Sequence, residues 1–215
     1  MQTLLLTGFE PFDQDTVNPS WEAVRLLDGV QLSDDLRIIA RQLPCAFATA
    51  GVRLNELLVE HRPQMVIAIG LACGRSDISI ERVAINLNDA RIPDNIGHQP
   101  IDTPVVPDGP AAYFSTLPIK AMVKALRDGG IRASVSQTAG TFVCNQVFYS
   151  LQHALAGSSV RSGFIHVPLL PEQALRAISG QPSMALATLV EGLQIAALTA
   201  WNTQVDVAET GGQVS

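Results

Sequence analysis

A chain of 215 residues with 47% hydrophobic and 16% charged side chains is long enough for one domain with a sizeable core and too short for two ordinary ones. Its 14 basic and 20 acidic residues sum to −6, and no cluster of Lys and Arg offers a positive strip for phosphates, which argues against nucleic acid as a partner. Apolar runs such as Met65 to Ile69 are strand-sized and fall far short of the roughly 20 residues that span a bilayer, so no membrane partner is expected.

Thr3 to Thr7 is short, apolar and ended by Gly8, the pattern of a buried strand. A helix is predicted next: Asn18 can cap its free amides, Pro19 suits the first position, and Glu22 sits near the positive end of the dipole. Leu36 to Leu43 reads as a second strand. From Phe47, the residues Ala50, Gly51, Leu54 and Leu58 recur at helical spacing until Pro63, and Met65 to Gly70 forms a third strand. Ile78 to Leu87 alternates weakly and is predicted as one strand. Asn88 to Pro110 then carries Pro93, Pro100, Pro104 and Pro107 without any period. An irregular stretch of about twenty residues is uncommon inside a compact domain, and the expectation is an active-site wall or lid.

Regularity resumes with a helix over Pro118 to Arg127, closed by Gly129-Gly130, and a strand over Arg132 to Gln137. Another helix carries Cys144, Val147, Phe148, Leu151 and Leu155 on one face. Ser162 to Val167 reads as a strand, Pro171 opens a helix, and a last helix puts Leu186, Leu189, Val190, Leu193 and Ala197 on one side. Residues 205–215 form a polar tail expected to fray, which leaves 1–204 as a single domain. Strands alternating with amphipathic helices predict an α/β/α sandwich around a mostly parallel twisted sheet, with any site at the carboxyl ends of the strands.

Some chemistries can be set aside. Gly70-Leu71-Ala72-Cys73-Gly74-Arg75 follows a strand but has neither dinucleotide-binding spacing nor a P-loop lysine, and the four histidines and three cysteines show no paired metal-ligand spacing. Neither metal nor cofactor is expected. The opening Met1-Gln2-Thr3-Leu4 lacks the basic region of an export signal, and the cysteines are odd in number and widely spaced, so the expectation is reduced thiols in the cytoplasm.

Cys144 is the thiol with chemical promise. Gly140 provides a bend and Thr141 a plausible N-cap, which places the sulfur in a first helical turn, where unpaired amides favour thiolate. It also begins the helix's apolar stripe, and position alone favours an inert core thiol over a catalytic one. His166 lies near the end of the next strand, and a right-handed crossover between consecutive parallel strands presents their carboxyl ends at one edge, which is expected to bring His166 near Cys144. Glu81 is a carboxylate in an apolar strand and needs a partner; it could orient the imidazole or form an ion pair with Arg75 or Arg82. Together these residues offer a thiol nucleophile, an imidazole base and a carboxylate to hold its tautomer.

Seven segments, in order along nearly the whole chain, go further: Thr7-Gly8-Phe9-Glu10-Pro11-Phe12, Asn18-Pro19-Ser20-Trp21-Glu22-Ala23, Glu81-Arg82-Val83-Ala84-Ile85-Asn86, Asp89-Ala90-Arg91-Ile92-Pro93-Asp94-Asn95, Gly109-Pro110-Ala111-Ala112-Tyr113, Ala139-Gly140-Thr141-Phe142-Val143-Cys144-Asn145 and Phe164-Ile165-His166-Val167-Pro168. The chain resembles the pyroglutamyl peptidases, also called pyrrolidone-carboxylate peptidases. The resemblance implies a metal-free cytosolic cysteine exopeptidase on an α/β/α fold, commonly a homotetramer, that acts on peptides with an N-terminal pyroglutamyl residue. It places the nucleophile on Cys144, the histidine on His166, the acid on Glu81 and an oxyanion helper on Arg91. It places the substrate pocket on Phe9, Phe12, Asn18, Leu71, Ile92, Phe142 and Val143. The chain departs from the family at Leu71, where an amide is usual, and at Cys73, where a glycine is usual. Cys73 also raises the expectation that oxidation links it to Cys144. Two other classes stay open: a phosphorylase using Arg75 and Arg91 as anion ligands, and a non-catalytic binding protein.

Overall fold

The chain runs through β1 (Gln2–Phe9), α1 (Pro19–Arg25), β2 (Leu36–Leu43), α2 (Phe47–His61), β3 (Met65–Leu71), β4 (Ile78–Glu81), β5 (Val83–Ile85) and β6 (Ala112–Phe114). It continues through α3 (Ile119–Asp128), β7 (Ala133–Ser136), α4 (Val143–Ala154), β8 (Arg161–Val167), α5 (Pro171–Arg176) and α6 (Leu186–Asn202). The structure is a computed structural model and describes residues 1–176 and 180–212.

In β1 every residue from Leu4 to Phe9 is buried, and neighbours divide between two cores: Leu4 and Leu6 lie on one side of the sheet, Leu5 and Phe9 on the other. β3 divides likewise, with Met65, Ile67 and Ile69 opposite Val66 and Ala68. A period of two with no solvent-facing side requires helices on both faces. α1, α3 and α6 supply one face through residues such as Val24, Met122 and Leu193, and α2 and α4 supply the other through Leu54 and Val147. Among the described residues no helix is long and apolar enough to cross a membrane.

The sheet order is β2-β1-β3-β8-β4-β7. All neighbouring pairs are parallel except β4 and β8, which pair antiparallel through Ser79 with His166 and Ile80 with Ile165. Since β7 is parallel to β4, it runs against β8. The stretch from β7 through α4 to β8 is therefore not the parallel crossover the sequence suggested, and the turn over 137–142 must carry α4 back to the carboxyl edge of β3 and β8.

Three further expectations change. Ile78 to Leu87 is two strands: β4 ends in the main sheet at Glu81, and β5 turns away to pair with β6 in a small antiparallel sheet. Thr141 is not the cap of α4. That position falls to Phe142, without a side-chain hydrogen bond, while the Thr141 hydroxyl donates to the Asp89 carbonyl at 2.8 Å. The tail is tied down over its described part: Asp206 accepts from the Lys120 and Ala121 amides at 3.1 and 2.9 Å, and Arg82 donates to the Gly211 carbonyl at 2.9 Å. Residues 213–215 lie outside the described residues.

Asp206 thus caps α3, whose own first turn supplies no side-chain cap. Asp206→Ala is expected to cost about 1 kcal/mol, read as a lower urea midpoint, and Asp206→Asn, which keeps an acceptor, to cost less.

Candidate active site

The carboxyl ends of β1, β3 and β8, the residues just past β2, and the first turn of α4 converge on a cavity of about 390 Å³. Its wall includes Phe9, Phe12, Leu71 and Phe142 as apolar groups and Arg75, Cys144 and His166 as chemical ones. This volume suits a small organic group. A cavity of similar size between α3 and the tail is lined by Lys120, Lys124, Arg127, Asp128 and Glu209 and has no nucleophile beside a base.

His166 is the next-to-last residue of β8, 3% exposed, and its Cα partners are Gly70 on β3 and Ser79 on β4. Glu81 lies two residues beyond Ser79, so the pleat sends its side chain to the same face, diagonal to His166 and within reach of a long side chain. His166 Nδ1 and Glu81 Oε1 stand 2.7 Å apart, and Arg75 Nη1 donates to the same oxygen at 2.7 Å. Arg75 Nη2 donates to the Thr138 carbonyl at 2.9 Å, which ties the turn before α4 to this pair. An acceptor-only carboxylate on Nδ1 puts the imidazole proton there and leaves Nε2 as the free base.

Gly70 shows where the sulfur lies. A methyl group on Gly70 would sit 2.7 Å from Cys144 Sγ and 2.8 Å from the Phe164 ring, closer than atoms can approach. The thiol therefore occupies the space that a side chain on β3 would fill, directly across the ladder from His166. α4 brings it there because Val143, Val147 and Leu151 bury the same helical stripe against the sheet.

Burial pushes the Cys144 thiol well above its ordinary value, with the thiol of Cys45 and the carboxylate of Glu81 acting in the same direction and Arg75 against them. Burial also pulls the His166 imidazole down, opposed by its hydrogen bond and attraction to Glu81 and reinforced by Arg75. Both shifts favour a neutral thiol beside a neutral imidazole at pH 7. Burial thus acts against the thiolate that a helix terminus favours.

The remaining expected residues divide. Phe9, Phe12, Asn18, Leu71 and Phe142 line the cavity, with Phe142 packed on Phe12 and Phe47 at 5.1 Å between ring centres in each case. The Asn18 amide is already engaged: its oxygen takes the Ser20 amide and hydroxyl at 3.1 and 2.8 Å, and its nitrogen donates to the Glu10 carbonyl at 3.0 Å. Val143 is fully buried in the core, Ile92 is half-buried outside the wall, and Arg91 is exposed outside it. No residue of the 88–110 stretch lines the cavity. Instead Asn95 donates to Glu10 Oε1 at 2.8 Å and to the Pro11 carbonyl at 2.9 Å, and Asp94 accepts from the Phe47 amide at 2.8 Å, so this loop braces the wall from behind.

Arg75, expected from the sequence as an alternative partner of Glu81 or as an anion ligand, instead bridges Glu81 to the turn before α4. Cys45 was missed as a wall residue; its position just past β2, at the edge where such sheets gather sites, is the signal. Burial pushes its thiol up to about 12. Cys73 is exposed at the wall, and all three cysteines are free. Among the described residues no three His, Cys, Asp or Glu side chains gather to hold a metal ion.

The profile of the pyroglutamyl peptidase family matches residues 2–203. The chain belongs to this family. It is 75% identical to a pyrrolidone-carboxylate peptidase of Pseudomonas fluorescens over 215 residues, the full length of both chains, and 62% identical to one of Cupriavidus taiwanensis, again covering all of both. The fold matches the crystal structure of pyroglutamyl peptidase I of Bacillus amyloliquefaciens with a TM-score of 0.92, at 45% identity over 96% of this chain and 100% of that one. It also matches the pyrrolidone carboxyl peptidase of Thermococcus litoralis with a TM-score of 0.90, at 39% identity over 94% of each chain.

Within this pyroglutamyl peptidase site, Arg75 lowers the proton affinity of both Cys144 and His166. Arg75→Gln is expected to raise both, so the pH dependence of Cys144 alkylation by iodoacetamide moves to higher pH. A profile that stays in place would show that the charge of Arg75 does not reach the sulfur.

Proposed function

We propose that the chain removes N-terminal pyroglutamyl residues from peptides, with Cys144 as nucleophile, His166 as base and then acid, and Glu81 as the group that holds the imidazole. The observation that carries this reading is the shared cavity. One aromatic-walled space takes the Cys144 sulfur over Gly70 and the ring of His166, whose tautomer Glu81 fixes at 2.7 Å. A lactam-closed N-terminus has no ammonium to pair and presents an apolar ring with one amide edge, which suits Phe12, Phe142 and Leu71.

As the sulfur attacks the pyroglutamyl carbonyl, its proton passes to His166 Nε2, and the C=O electron pair moves onto oxygen. The first-turn amides of α4, left without a side-chain cap by Phe142, are placed to stabilise that oxyanion. Arg91 adds positive charge from outside the wall. The imidazolium, stabilised by Glu81, gives its proton to the departing amine nitrogen as the C–N bond breaks, leaving a thioester on Cys144. Water then attacks the thioester with His166 again as base, and pyroglutamate leaves as the thiol regains its proton.

The resemblance also carries a homo-oligomer, commonly a tetramer, for which exposed Ile96, Ile101 and Phe114 offer apolar surface, and a cytoplasmic location, with which three free cysteines agree. On a chromogenic pyroglutamyl anilide, Cys144→Ser and His166→Ala are expected to lose turnover by about 10³-fold or more, whereas Cys73→Ser keeps most of it. Prolyl and free-amine anilides should not be cleaved. Wild-type turnover in Cys144→Ser would falsify the assignment.

A further inference from the structure

Asn145 follows the nucleophile on α4 and is completely buried. A buried amide inside a helix is costly unless its donors and acceptor are met, and asparagine is a poor helix former. Here the amide is met by a strand. Its Oδ1 accepts from the Ile85 amide at 3.0 Å, and its Nδ2 donates to the Ile85 and Leu87 carbonyls at 2.9 and 3.0 Å. Ile85 has these groups to offer because β5 bonds to the β6 side through alternate residues: Asn86 donates to the Ala111 carbonyl and the Arg82 carbonyl accepts from Ser115, which turns the Ile85 amide and carbonyl toward α4.

β5 begins two residues after Glu81, so this contact joins the nucleophile's helix to the segment that leads directly out of the strand carrying the acid. A second tie lies on the other side of Cys144: the Asp89 amide donates to the Thr141 carbonyl at 3.0 Å, and the Thr141 hydroxyl donates back to the Asp89 carbonyl at 2.8 Å. The segment 85–89 thereby grips residues 141 and 145, which flank the sulfur. We infer that Asn145 is a positioning residue that sets Cys144 against the Glu81–His166 pair. This inference rests on the reading of Cys144 as nucleophile.

Two isosteric variants test it. Asn145→Leu deletes all three hydrogen bonds. Asn145→Asp keeps the acceptor for the Ile85 amide and has one donor only while its carboxyl is protonated. On the pyroglutamyl anilide, Asn145→Leu is expected to lower kcat about 100-fold with KM changed less than about twofold, the scale of a misplaced reacting group. Asn145→Asp is expected to show an added pH limb, its activity falling relative to wild type as the new carboxylate ionises against two carbonyls. A second readout does not need turnover: alkylation of Cys144 by iodoacetamide should depend on His166 in the wild type, and His166→Ala should make no further difference in an Asn145→Leu background. If Asn145→Leu does not fold, Asn145→Asp decides through its pH limb and its alkylation. Wild-type kcat and pH profile with only a lower Tm, or a change confined to KM, would overturn the inference. Failure of the wild type to cleave the anilide while the alkylation pattern holds would instead count against the substrate and leave the positioning role standing.

Discussion

A single carboxylate oxygen buried in the sheet, shared between an imidazole and a guanidinium, is the constraint around which the site is arranged. Glu81 is wholly inaccessible, and its Oε1 takes both His166 and Arg75 at 2.7 Å. A charge so placed is tolerated only when it is paired and hydrogen-bonded, and removing either partner leaves the other exposed to a large desolvation cost. The geometry depends on β4 running against β8. A diagonal antiparallel pairing lets Glu81 meet the ring of His166 from the same face, and it is this face that α4 covers. The same register sets Gly70 beside His166 on β3, and the absence of a side chain there makes room for the sulfur. The placement of Glu81, His166 and the Cys144 sulfur thus follows from three adjacent strands and their pleat.

The electrostatics of the enclosed site favour charge that appears only during reaction. Burial raises the thiol and lowers the imidazole, so a thiolate–imidazolium pair is disfavoured in the empty cavity. The Glu81 contact counteracts this on the imidazole, and Arg75 counteracts it on the thiol while lowering the imidazole further. Proton transfer coupled to attack fits such a balance better than a preformed ion pair does, because the developing oxyanion then shares the field of the uncapped α4 terminus.

Much of this was legible in the sequence where the information is local. The strands with both faces buried, the Asn18-Pro19 helix start and the apolar stripes of α2, α4 and α6 are written in period and punctuation, and the observed elements follow them closely. What could not be read is what depends on distant pairing. Strand direction leaves no local trace, so the reversal of β4 and β7 went unseen, and Cys144 and His166 reach one cavity by a route other than the parallel crossover. The break at Arg82 reflects the pairing of β5 with β6, nearly thirty residues away in the chain. The Thr141 hydroxyl was expected on α4 because capping is a local habit, yet Asp89 takes it. Asn145 shows the same limit: its partners Ile85 and Leu87 lie across the fold, and the residue type alone does not reveal whether a buried amide is spacer or strut.

For the lactam substrate proposed, what the cavity lacks matters as much as what it holds. The buried negative charge of Glu81 is balanced by Arg75, and the Asp15 carboxylate at the wall takes a hydrogen bond from Gln173 at 2.8 Å. An ammonium entering between Phe12 and Phe142 would shed its water in a space where Arg75 already supplies a positive charge, whereas a lactam ring loses little hydration and gains aromatic contact. Leu71 extends this apolar character at the end of β3. Leu71 offers no polar side chain, so at the end of β3 a directional contact to the lactam edge falls to the main chain, whose position is fixed by the sheet. A ring that binds by shape and by backbone hydrogen bonds would then be discriminated from proline, which has the ring but carries a charged secondary amine, chiefly by the cost of burying that charge.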